Sequence, residues 1–177
     1  MVEVFLERDF FPPVSHADLQ AAWSGGIGCF DLHRVEWRGS LLSLDGCRLV
    51  CNFRAPDAES ARIALRSGGA DIRRLWPGTV HDAPKLGRFS AESANVIVRR
   101  SFAQPVEVAD LQARENAAAW CLDVRHVKFV RTYFSLDRTR MLCLYRAPDA
   151  ESVREAQRIA AMPMDDVWGF SALLPEA

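Results

Sequence analysis

The sequence predicts an α+β protein in which a β-α-β-β-α-β unit occurs twice in one chain. Three observations carry this. The heptapeptide Arg54-Ala55-Pro56-Asp57-Ala58-Glu59-Ser60 recurs unchanged as Arg146-Ala147-Pro148-Asp149-Ala150-Glu151-Ser152, an offset of 92 residues. At that offset the halves align without a gap: Ala17–Ala21 meets Ala109–Ala113, Cys29 meets Cys121, Cys51 meets Cys143 and Trp76 meets Trp168. Roughly thirty identities over about seventy-five positions mark an internal duplication with units of about 80 residues. The third observation is that apolar periodicity gives the same order of elements in both halves.

In the first half, Val2 to Arg8 reads as a strand, ended by Phe10-Phe11-Pro12-Pro13 because proline cannot continue a ladder. Ser15 is the N-cap of a helix, with Asp18 three residues on, running to about Leu32. Gly25-Gly26 and Gly28 weaken its middle by about 1 kcal/mol per glycine, so a bend or a close backbone approach is expected there. The run Gly25-Gly26-Ile27-Gly28 interrupts a helix rather than following a strand, and is read as packing, not phosphate binding. Strands Val35–Leu44 and Arg48–Arg54 meet at Asp45-Gly46, a strong hairpin signal. Asp57 starts a second helix, stopped by Ser67-Gly68-Gly69. A short strand, Ile72 to Trp76, closes the unit. Residues 1–80 make the first unit, 81–94 a linker within the turn-rich stretch from Pro77 to Ala94, and 95–177 the second unit.

The second half repeats the order. Strand Asn95–Phe102 precedes a helix from Glu107 to about Val124, which is better formed through Glu115–Trp120 than its glycine-broken counterpart. Strands His126–Leu136 and Arg140–Arg146 meet at Asp137-Arg138-Thr139, and a helix from Asp149 to about Ala160 leads into a strand from about Asp166 to Leu174. This is the split βαβ, or ferredoxin-like, arrangement, with both helices on one face of a four-stranded antiparallel sheet. Phe129, Tyr133, Phe134, Met141, Leu142, Leu144 and Tyr145 put bulky groups on both sheet faces. The two open faces are therefore expected to pack face to face about a pseudo-two-fold axis, making the monomer its own pseudodimer, with a ligand site at that seam. A further homodimer stays open.

A net charge of −1 and a pI near 6.4 argue against a nucleic-acid binder. No apolar run approaches the roughly 20 residues that span a bilayer, and the N-terminus lacks a signal-peptide pattern, so no membrane partner and a cytoplasmic location are expected. The five cysteines form no C-x-x-C pair and read as reduced, buried thiols. No G-x-G-x-x-G, P-loop, H-E-x-x-H or G-x-S-x-G pattern appears, so no nucleotide cofactor is expected.

Candidate chemistry is sparse. His33 and His126 are near-equivalent, at the turn from helix to strand, and are candidate metal ligands. Arg8 and Arg100 are matched on first strands. A strand arginine needs a partner or a cavity, so it either holds an anionic ligand or bridges to Glu7, Glu59 or Glu151. Trp37, Tyr133, Tyr145 and Trp168 either wall an apolar or aromatic pocket or are ordinary core. Cys51 and Cys143, matched on third strands, read as core. In an enzyme, His126 or Glu7 would move a proton.

The runs Glu7-Arg8-Asp9-Phe10, Arg140 to Arg154 and Met162-Pro163-Met164-Asp165-Asp166-Val167-Trp168 resemble a bacterial ferredoxin-like domain-of-unknown-function family that includes nickel-binding proteins. Its members are single domains of about this repeat length, so the resemblance covers both halves, more closely the second. It implies a transition metal such as nickel, held in those members by a histidine before the Ser-Tyr of the second strand and another in the second helix. Those places fall at Gly39 and Arg131, and at Ala64 and Ala156, so the chain departs from the pattern in both halves. The first half also replaces the Met-Pro-Met turn with Ala70-Asp71-Ile72. The sequence therefore points to a small-ligand or metal-ion binding protein. The alternatives are an enzyme without an organic cofactor, acting on a small anionic or aromatic substrate, and a structural or interaction module.

Overall fold

A computed structural model describes residues 1–24, 27–83 and 93–175, with the side chains at 23, 24, 27 and 28 excepted. The elements run β1 (Val2–Asp9), α1 (His16–Ser24), α2 (Ile27–Leu32), β2 (Glu36–Ser43), β3 (Arg48–Ala55), α3 (Ala58–Ser67), β4 (Arg74–Asp82), β5 (Val96–Ser101), α4 (Val108–Ala117), α5 (Ala119–Val124), β6 (Lys128–Ser135), β7 (Arg140–Arg146), α6 (Ala150–Ile159) and β8 (Asp166–Leu173). The chain forms two compact units, one of Met1–Thr79 with Ser171–Ala177, the other Val80–Phe170. Among the described residues no helix is long and apolar enough to cross a membrane.

In unit 1, β1 pairs antiparallel with both β3 and β4, and β2 pairs with β3, giving the order β4-β1-β3-β2. In unit 2, β5 pairs with β7 and β8, and β6 with β7, which is the same order. This is the ferredoxin-like α+β arrangement, and local chemistry sets its joints. Ser15 and Asp18 cap α1 reciprocally: the Ser15 N–H donates to Asp18 Oδ2 at 2.8 Å, and the Asp18 N–H to Ser15 Oγ at 3.2 Å. Asp57 and Asp149 are N-caps with extended backbones, each accepting from the backbone N–H three residues on at 2.7 Å. In the β2–β3 hairpin Asp45 accepts from Ser43 Oγ and the Cys47 N–H, and Asp137 repeats this with Ser135 and Thr139. Gly46 is obligatory there: φ is +71°, and a Cβ would lie 2.4 Å from the Val14 carbonyl oxygen.

Two expectations are corrected. The stretch from Glu107 to Val124 is two helices, not one. Ala118 leaves the helical region at φ −107°, ψ 17°, which lets Leu111 and Glu115 of α4 and then Cys121 and Leu122 of α5 turn inward. Packing outweighs the propensity of the alanine-rich run. The bend expected at Gly25-Gly26, and the packing role given to that run, lie outside the described residues, which place α1 before it and α2 after. Pro77-Gly78 does not open a linker. β4 continues to Asp82, with Pro77 in register opposite Val4.

Each unit has a core between its sheet and its helices. In unit 1 it gathers Val4, Leu6, Cys51 and Phe53 from the sheet with Leu19, Ala61, Ala64 and Leu65 from the helices. Unit 2 uses the matching Val96, Val98, Cys143 and Tyr145 with Leu111, Val153 and Ala156. Burying each large apolar side chain stabilises by about 1.5–3 kcal/mol. The alternate strand residues, among them Phe5, Val50, Ile97, Leu142 and Leu144, are buried as well.

Candidate functional site

Period-2 alternation on the first strand of each unit puts one arginine on the helix-covered side: Arg8 follows Val4 and Leu6 in β1, and Arg100 follows Val96 and Val98 in β5. The two positions are matched in sequence, yet their surroundings differ.

Arg100 is only 1% exposed. Its Nη2 donates to Gln157 Oε1 at 2.7 Å and lies 3.4 Å from the Tyr145 hydroxyl. That hydroxyl donates to Glu115 Oε1 at 2.5 Å, and Gln157 Nε2 donates to the same oxygen at 3.3 Å. A guanidinium, a phenol, a carboxamide and a carboxylate thus form one buried network, with the two charges offset through shared hydrogen bonds. Burial pushes the Tyr145 phenol and the Cys143 thiol above their ordinary ranges, and the Arg100 charge partly opposes this in both. Nε and Nη1 of Arg100 have no hydrogen-bond partner among the described residues. Beside Arg100 is a cavity of about 20 Å³, also lined by Glu115, Thr132, Cys143 and Met162. It has room for about one water.

In unit 1 the residues matched to Tyr145, Gln157 and Glu115 are Phe53, Leu65 and Trp23, none of which offers an acceptor for a guanidinium. Ala70 stands where unit 2 has Met162. The corresponding space is a cavity of about 140 Å³, lined by Leu6, Arg8, Phe30, Cys51, Phe53, Leu65 and Ala70 among others. Arg8 is half-buried, its guanidinium over the Phe10 ring at 4.8 Å, and it makes no ion pair among the described residues. The bridge to Glu7 that the sequence allowed does not form. Glu7 faces the other way, accepting from Trp76 Nε1 at 2.9 Å and Arg74 at 3.1 Å. Burial pushes the Cys51 thiol up to about 12, so it lines the cavity as a neutral group.

Of the other sequence candidates, Trp37 donates from Nε1 to Ser40 Oγ at 3.1 Å, and Ser40 in turn to Cys51. Tyr133 is buried and hydrogen-bonded with Arg131. Trp168 packs under Arg99 at 5.7 Å. His126 is exposed at the end of α5 with φ +55°, and its counterpart in backbone conformation is Arg34 (φ +53°), not the half-buried His33. Arg100 and Tyr145 are therefore the predicted pair brought into contact. Glu115 and Gln157 were missed by the sequence reading. Their signal is helical phase, since each lies four residues after a buried apolar residue, Leu111 and Val153. A shallower cleft of about 340 Å³ carries His16, whose Nε2 is 2.9 Å from Ser171 Oγ. No carboxylate orients His16 among the described residues, so the pair is not a catalytic triad.

The fold is shared with solved proteins across nearly the whole chain. A chlorite dismutase mutant from Candidatus Nitrospira defluvii is 12% identical at a TM-score of 0.52, covering 98% of this chain and 91% of that one. A heme-binding protein from Thermus thermophilus is 12% identical at a TM-score of 0.50, covering 97% and 91%. At such identities the likeness shows the fold alone. No curated protein matches the sequence. Residues 96–169, from β5 into β8, match the family described as nickel responsive protein SCO4226-like.

The residues present do not reproduce the nickel donors that the family resemblance implies. Gly39 sits in a β-bulge at φ +140°, where a Cβ would lie 3.0 Å from Leu174 Cδ2 and 3.1 Å from the Leu173 carbonyl oxygen. Arg131 is held by Asp82 in a two-pronged ion pair, at 2.5 and 3.1 Å. Ala64 and Ala156 are fully buried. Among the described residues no group of three or more His, Cys, Asp or Glu side chains is placed to hold a metal ion.

Proposed function

We propose that this protein binds a small organic molecule in the cavity of unit 1, beneath α1, α2 and α3, while unit 2 keeps the same architecture with that space filled. The observation that supports this is the contrast of about 140 against about 20 Å³ at matched places. It follows chiefly from one pair of side chains, because Met162 occupies volume that Ala70 leaves open, and the Tyr145 hydroxyl adds an oxygen that Phe53 lacks. A space of about 150 Å³ is known to accept benzene, so the apolar body of the ligand is of that order, about six carbons.

The test uses benzene as probe and follows the methyl NMR signals of Leu6, Leu19, Leu49 and Leu65. Saturable shifts confined to these leucines are expected in the wild-type protein and should vanish in Ala70→Met, which restores the bulk of the filled unit. No shift, or an equal shift in Ala70→Met, overturns the reading.

A second reading, metal-ion binding, draws on the match of residues 96–169 to the nickel-responsive family. It would have to use donors such as His33 or His126 in place of those missing at positions 39, 64, 131 and 156. Titration with Ni²⁺ decides it: stoichiometric uptake with a rise in Tm supports this reading, and no change in Tm removes it.

A further inference from the structure

Resting on the reading of the unit 1 cavity as a ligand site, we infer that its ligand is a small organic acid, an apolar body with one carboxylate, the carboxylate meeting Arg8. Unit 2 is the guide. There the Nη2 of an arginine at this place in the fold meets built-in oxygen acceptors, the Gln157 amide and the Tyr145 hydroxyl, with the Glu115 carboxylate one hydrogen bond further. Unit 1 keeps the arginine and has lost all three acceptors. Its cation has no ion pair among the described residues, and one face of the guanidinium lies against the Phe10 ring. The N–H groups that remain suit a carboxylate, which accepts two parallel bonds.

The rest of the lining fixes the remainder of the ligand. Leu6, Leu19, Phe30, Leu49, Phe53 and Leu65 offer no hydrogen-bonding side chain, and the one described polar side chain besides Arg8 is the neutral, weakly hydrogen-bonding Cys51 thiol, so the body of the ligand is mainly apolar. Arg8 is half-buried while Leu6, Leu49 and Phe53 are fully buried, so the charge belongs at the outer end and the body within. Among the described residues no acidic side chain lines the cavity to repel the carboxylate.

The experiment compares benzoate with benzyl alcohol, which share a ring and differ in charge, by calorimetry and leucine-methyl NMR at pH 7. Benzoate should bind the wild-type protein about ten- to a hundredfold more tightly, the range expected for a charged hydrogen-bonded partner. Raising the salt concentration should weaken benzoate and leave the alcohol unchanged. In Arg8→Gln the preference should disappear while the alcohol still binds. Equal binding of the two by the wild-type protein overturns the carboxylate inference and leaves the cavity reading standing. Binding of neither overturns both. The wild-type comparison needs no variant, so a poorly folded Arg8→Gln would not rescue the idea.

Discussion

Arg8 and Arg100 occupy one position in one fold, and the two units treat them in opposite ways. In unit 2 the cation is sealed by three polar side chains from α4, β7 and α6. In unit 1 the same strand delivers the same cation to an apolar hollow, against Phe10. The sheet sets where the arginine stands, and the residues facing it set whether it is a structural ion or one available to a ligand. A matched copy within the same chain thus acts as an internal control, because strand order and register are shared while the side chains facing the arginine differ.

The largest expected effect tests the sealed network. Glu115→Ala removes the carboxylate and leaves the Arg100 charge buried with neutral partners, which should cost about 3–5 kcal/mol of stability in urea unfolding. Arg8→Met in unit 1 removes a cation without an ion pair and should cost less than about 1.5 kcal/mol. Similar losses for the two would break the comparison. Tyr145→Phe gives unit 2 the ring of unit 1, removes the hydroxyl between Arg100 and Glu115, and should cost about 1–3 kcal/mol.

A property the units share comes next. Both strand thiols are pushed up by burial, Cys51 to about 12. An unfolded thiol ionises near pH 8.5, so the native state holds its proton where the unfolded state has lost it. The thiol contribution is complete below that pH and is lost as pH rises above it, for Cys51 by about 1.4 kcal/mol per pH unit toward 12 and for Cys143 in the same direction. Urea midpoints between pH 8 and 10 should fall, and Cys51→Ala should flatten the slope. An unchanged slope in that variant would exclude Cys51 as its source.

The smallest effect concerns the paired caps. Hydrogen bonds from the Ser60 and Ser152 amides hold Asp57 and Asp149 below the usual carboxylate pKa. A depressed pKa gives stability that is present above the ordinary carboxylate range and lost as pH falls through the folded value. Asp57→Ala and Asp149→Ala should lower Tm by similar small amounts at pH 7 and have less effect in acid. Unequal shifts would mean that the heptapeptide, identical in sequence, is not equivalent in its two settings.

What was legible in the sequence was local or repeated. Ser15, Asp57, Asp149 and Asp45-Gly46 announced caps and a hairpin because the bonds they make lie within a few residues, and the 92-residue offset announced the matched elements. The kink at Ala118 was hidden because only tertiary burial of Glu115 and Leu122 calls for it. The path of β4 through Pro77 was hidden because its partner, Val4, lies far off in sequence. The matched arginines were visible as oddities. Their division of labour was not, since it depends on Glu115 and Gln157 turning inward and on Met162 filling what Ala70 leaves open. The loss of Met-Pro-Met was legible as a change but not as a change in volume.

Gly39 makes one difference between the units hard to undo. Its peptide is turned into a conformation that side chains avoid, and its missing Cβ is the clearance for Leu173 and Leu174. A histidine cannot be restored there by replacing one residue; the bulge must first be rewound and the tail from Ser171 moved aside. For anyone grafting a metal centre onto this scaffold, position 131 is the practical starting point, where breaking one ion pair with Asp82 frees a side-chain position already in place on β6.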